Sequence, residues 1–79
     1  MLTTDVRFTW CADGVRVSTV EFPERPGSDP DWHYETMTFG GGVDSQLWAK
    51  YGAREDAEAG HARCVAEHGG SVREREVTG

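Results

Sequence analysis

The chain is poor in three things. It has no apolar run near the roughly 18 residues that a membrane-crossing helix needs. It has two cysteines, Cys11 and Cys64, where a small secreted scaffold normally carries about four or more. Its 8 basic residues are outnumbered by 14 acidic ones, giving a formal charge of −6. The first shortage excludes a helical membrane span. The second favours two thiols in a reducing compartment over a disulfide framework. The third argues against direct nucleic-acid binding, which needs a basic face. It permits the opposite arrangement, docking onto the basic surface of another protein. The segment 1–7 also lacks the charged and apolar regions of a secretory signal, so the expected location is the cytoplasm.

What is present specifies a small α+β domain. Seventy-nine residues hold one core, and a chain of that size buries only about 60% of the surface its unfolded form exposes. A homodimer or a firm partner would therefore help it. Val6 to Ala12 alternates as a strand, Asp13-Gly14 reads as a two-residue type I′ turn, and Val15 to Phe22 is the return strand. This register sets Trp10 opposite Val17. Val6, Phe8, Trp10, Ala12, Val15 and Val17 then share one apolar face, with Arg7, Thr9, Cys11 and Arg16 on the other. Pro23 to Asp31 is a loop. Trp32 to Phe39 is a third strand, closed by Gly40-Gly41-Gly42. Val43 to Tyr51 fits a short helix or a fourth strand. Ala53 to His68 is the main helix, with Ala57, Gly60, His61, Cys64, Val65 and His68 along one stripe. The expected architecture is an antiparallel sheet of three or four strands packed by one C-terminal helix. Residues 1–70 form the domain, and 71–79 are a charged tail or an edge strand. The expected core is Val6, Phe8, Trp10, Val15, Val17, Met37, Phe39, Leu47, Ala57, Cys64 and Val65. His61 is expected to hydrogen-bond at the helix–sheet interface.

No constellation specifies an enzyme. His61, Cys64 and His68 share a helix face, but i and i+7 stand about 10 Å apart along the axis, too far to converge on one ion. The expected metal and cofactor content is none. The triple glycine lacks the Gly-Lys-Ser/Thr of a phosphate loop. Cys64 and His61 have no orienting third group or oxyanion hole. No catalytic residue is assigned. The aromatics Phe22, Trp32, Tyr34 and Trp48 are candidates for an uncovered sheet face, where an aromatic cluster ringed by acids reads as a protein-binding surface or a homodimer seam.

Several short stretches carry a resemblance. Val17-Ser18-Thr19-Val20 is followed by Tyr34-Glu35-Thr36-Met37-Thr38-Phe39-Gly40-Gly41, then by Tyr51 and by Glu58-Ala59-Gly60-His61. In this order they resemble a group of small uncharacterised proteins from phages and prophages of high-GC bacteria. The resemblance spans about residues 15 to 66. It departs at Thr38, where Val is usual, and in the acidic loop. It implies a phage setting and brings no residue roles. In that setting the expected function is a non-enzymatic inhibitor in the host cytoplasm. Such a protein binds a host protein, in the manner of an anti-CRISPR that blocks a basic nucleic-acid-binding surface. The candidate contacts are Glu21, Glu24, Asp29, Asp31, Trp32 and Glu35. The alternatives are a binder of a small nucleotide signal, with Arg7 and Arg16 forming one wall, and a phage structural or assembly component.

Overall fold

The computed structural model describes residues 4–22 and 33–75. Strands β1 (Thr4–Cys11), β2 (Arg16–Glu21), β3 (Tyr34–Gly40) and β4 (Val43–Tyr51) precede helix α1 (Arg54–Glu67). Strand β5 (Ser71–Glu74) follows it. All pairings are antiparallel, and the spatial order is β4-β3-β2-β1-β5. The fold is α+β, with one more strand than the expected maximum. Val43–Tyr51 is a strand, and β5 is the edge strand, one of the two readings of 71–79.

The first hairpin departs from the expected register, and the turn explains why. A two-residue type I′ loop needs positive φ at both Asp13 and Gly14. Among the described residues only glycines have positive φ, and Gly14 stands at 89°. Cys11 N–H donates to the Val15 carbonyl at 2.8 Å, and Gly14 N–H to the Cys11 carbonyl at 3.1 Å. The loop is therefore Ala12-Asp13-Gly14, with its left-handed residue last. The Asp13 carboxylate accepts the Val15 N–H at 2.9 Å, which holds the turn. Trp10 consequently pairs with Arg16, and Thr9 with Val17.

This one-residue slip turns β1 over. Thr9 and Cys11 join Val15, Val17 and Thr19 beneath the helix, while Phe8 and Trp10 pass to the other face. In β3, Thr36 pairs with Thr19, so Met37 and Phe39 also lie on the far face. Phe8, Trp10, Met37, Phe39 and Leu47 are thus not core residues, and Leu47 is 49% exposed. Val6, at a bulge between Asp5 and Arg7, Val15, Val17, Ala57, Cys64 and Val65 are buried as expected. The type I′ geometry instead appears in the β3–β4 hairpin. There Gly41 and Gly42 have φ of 69° and 83° between the paired Gly40 and Val43.

Helix α1 buries Ala57, Gly60, His61, Cys64 and Val65, leaving His68 half-buried at its end. Its N-cap, Ala53, offers no side-chain oxygen, and Glu55 and Asp56 complement the helix dipole in the first turn. Gly69 and Gly70, both left-handed, return N–H groups to Ala66 and Val65 at 3.3 and 2.9 Å and close the helix.

Candidate functional site

The centre of the helix–sheet interface is polar. Thr9, Thr19, Thr36 and His61 are all buried there. His61 Nε2 lies 2.8 Å from Thr9 Oγ1, and its Nδ1 lies 2.7 Å from Thr19 Oγ1. Thr19 Oγ1 lies 2.6 Å from Thr36 Oγ1. Thr9 also donates to Glu74 Oε1 at 3.1 Å. These contacts fix the protons by counting. A carboxylate only accepts, so Thr9 gives its single proton to Glu74 and must accept from His61 Nε2–H. In the neutral ring Nδ1 then accepts from Thr19, which in turn accepts from Thr36. Every member is satisfied in one direction, from Thr36 through His61 to Glu74. Burial pushes the His61 pKa down to about 4, and the positive charge of Arg7 adds to the shift, against the opposing Glu74. The ring is therefore neutral at pH 7.

This chain reaches the surface between α1 and β5. A pocket of about 200 Å³ there is lined by Arg7, Thr9, His61, Ala62, Val65, Ser71 and Glu74. Arg7 donates to Glu74 at 2.7 Å across its mouth. The pocket is smaller than the roughly 300–1,000 Å³ of ordinary small-molecule sites. Burial holds the two thiols in their protonated form. Cys64 is buried and its pKa is pushed up to about 11 by burial, with Cys11 adding to the shift. Cys11 is also raised, chiefly by burial.

The far face of the sheet is different in kind. Among the described residues no element covers it. Phe8, Trp10, Val20, Met37 and Phe39 lie on it, each half-buried, together with the exposed Leu47. Four exposed cations, Arg16, Lys50, Arg73 and Arg75, share this face with Asp5 and Glu35. The Arg73 guanidinium sits 4.5 Å over the Trp10 ring, and the Arg75 guanidinium 4.4 Å over Phe8. Arg75 also bonds Asp5 at 2.5 Å. Phe8 and Trp10 meet edge to face at 4.7 Å. The helix side carries more acids than bases, with Arg54 and Arg63 exposed among the acids of α1. Glu55, Asp56, Glu58 and Glu67 are exposed on α1, and Asp13 is exposed beside its end, bonded to His68 at 2.7 Å.

The sequence-based candidates scatter. Glu21 lies on the helix side and accepts the Tyr34 hydroxyl at 3.0 Å, whereas Glu35 lies on the open face opposite Lys50. Glu24, Asp29, Asp31 and Trp32 lie outside the described residues. Arg7 and Arg16 do not form one wall. The turned-over β1 puts Arg7 at the Glu74 pocket and leaves Arg16 on the open face beside Trp10 and Phe39. Tyr34 and Trp48 are on the helix side, and Trp48 packs on the core. Residue-type reasoning missed the threonines, because alternation alone ranks aromatics inward. The short stretches noted in the sequence meet in space, with Thr19, Thr36 and His61 in one hydrogen-bonded chain and Tyr51 against Gly60. In comparisons with known proteins, no family model, curated protein or solved structure matches this chain.

Proposed function

We propose that this protein acts without catalysis, by docking its acidic helix side onto a basic surface of a host protein. The observation that carries this reading is the uneven placement of charge between the layers: on α1 four acids outnumber Arg54 and Arg63, and on the open face four cations outnumber Asp5 and Glu35. Glu55, Asp56, Glu58 and Glu67 project from the outer side of α1, while Arg16, Lys50, Arg73 and Arg75 are held on the opposite face of the sheet. The helix layer therefore presents a net negative field. The neutral, doubly bonded His61 and the two protonated thiols support a non-enzymatic role, since neither supplies an activated base or nucleophile. In the phage setting implied by the resemblance, the target is a nucleic-acid-binding effector whose Lys and Arg otherwise meet phosphates. The reading is then anti-CRISPR-like. A nucleotide-signal binder is less well served, because its two arginines stand on opposite faces.

The test is capture from host lysate on immobilised protein at low and high salt, beside a variant carrying Glu58→Lys and Glu67→Lys. One nucleic-acid-binding complex should be retained at low salt, released at high salt, and lost in the variant. Retention undiminished by salt, or equal in the variant, removes the electrostatic docking.

A further inference from the structure

Net charge argues against nucleic acid, but charge placement by face argues the other way. The open face carries one row of side chains that crosses four strands. Phe39 on β3 pairs with Arg16 on β2, Arg16 with Trp10 on β1, and Trp10 with Arg73 on β5. Aromatic and guanidinium groups alternate along this row. Neighbouring strands stand about 4.8 Å apart, so Arg16 and Arg73 are roughly 10 Å apart with Trp10 between them. The Arg73 guanidinium already lies over the indole at 4.5 Å, and Arg73 is exposed.

We infer that this row is a binding platform for single-stranded nucleic acid. Bases stack on aromatic rings and on guanidinium planes, and flanking arginines meet the phosphates. Trp10 with Arg73, and Phe39, supply two stacking positions; Arg16 and Arg73 supply the charge between and beside them. Charge complementarity chooses this occupant. An acidic peptide would meet the arginines but leave the aromatic planes without stacking partners. A second copy laid face to face would set like cations against each other. Duplex is disfavoured because its bases are already stacked within the helix. The platform lies on the face opposite the acidic helix layer; it shares with the docking proposed above the separation of charge between faces, and different variants test the two.

The experiment is fluorescence anisotropy of a labelled 15-mer oligothymidylate, titrated with the full chain at about 50 mM and 200 mM salt. Binding should weaken with salt at a log–log slope of about −1.4 for two single-strand phosphate contacts. Arg16→Glu and Arg73→Glu, each exposed, should each cost about tenfold or more in affinity, while Arg63→Glu on the helix changes little. Trp10→Leu should weaken binding without changing the salt slope. Circular dichroism confirms that each variant folds. Absence of binding at low salt overturns the platform, as does binding indifferent to Arg16 and Arg73. Equal competition by polyglutamate marks a surface for any polyanion, and also overturns it. A dimer seen by ultracentrifugation and broken by Arg73→Glu, with no oligonucleotide bound, assigns the face to a second copy instead. None of these outcomes touches the Glu58 and Glu67 capture test, so the two proposals fail separately.

Discussion

His61 shows how one buried titratable group sets a pH window. The unfolded histidine titrates at 6.5, and the folded one at about 4. Between these values the unfolded chain holds a proton that the folded chain refuses. Stability from this site is therefore complete above about pH 6.5 and is lost as pH falls toward 4, by about 3 kcal/mol at 1.36 per unit. Urea midpoints at pH 7 and pH 4.5 read this loss. His61→Leu should be less stable at pH 7, since Thr9 and Thr19 lose their partner, yet flatter between the two pH values. His61 ring resonances titrating near 6.5 in the folded protein would contradict the burial account. Gly60 gives a second prediction at the same scale. An exposed helical Gly→Ala normally gains about 1 kcal/mol. Here a Cβ would run into the end of the Tyr51 ring, so Gly60→Ala should lose about 1–3 kcal/mol in chemical denaturation. Tyr51→Leu should relieve part of that loss in a double-mutant cycle.

Among the elements, α1 has the clearest defect and therefore the clearest remedy. Its N-cap Ala53 has extended backbone, φ −125° and ψ 147°, and accepts the Ala57 N–H at 3.1 Å, but it offers no side-chain acceptor to the first turn. Ala53→Ser should raise stability by about 1 kcal/mol, read as a higher melting temperature. The helix was also the most legible element. Its buried stripe of Ala57, Gly60, His61, Cys64 and Val65 follows from spacing, because a 3.6-residue period admits one inward face. The strands were legible as strands, but the face of β1 was not. Its inward set depends on whether the hairpin loop has two residues or three, and Asp-Gly serves both. The absence of positive φ at Asp13 decides it. The candidate site was hidden for a related reason. Thr9, Thr19 and Thr36 look like ordinary strand residues until register brings them to His61. The aromatics that look like core in β1 are outward because the three-residue loop turns the strand over, and Arg73 and Arg75, distant in sequence, sit over Trp10 and Phe8 there.

At the scale of the whole molecule, the described residues give the two layers opposite electrostatic character although the whole chain sums to −6. The acids of α1 face one way, and Arg16, Lys50, Arg73 and Arg75 the other. A small protein with this charge spread evenly would pass through a cation exchanger at pH 7, because its own field would repel the resin. A layered one presents its sheet face within a Debye length of the resin, about 10 Å at 0.1 M salt and longer below it, and turns the acids away. The chain should therefore be retained by an anion exchanger and also, at low ionic strength, by a cation exchanger. Arg16→Glu with Arg73→Glu should abolish retention on the cation exchanger and strengthen it on the anion exchanger. Glu58→Lys with Glu67→Lys should weaken retention on the anion exchanger. Flow-through of the unmodified chain on the cation exchanger, at the lowest salt that keeps it soluble, would mean that the two layers do not act as separate electrostatic surfaces. Both the acidic docking and the cationic platform would then lose the charge separation they share.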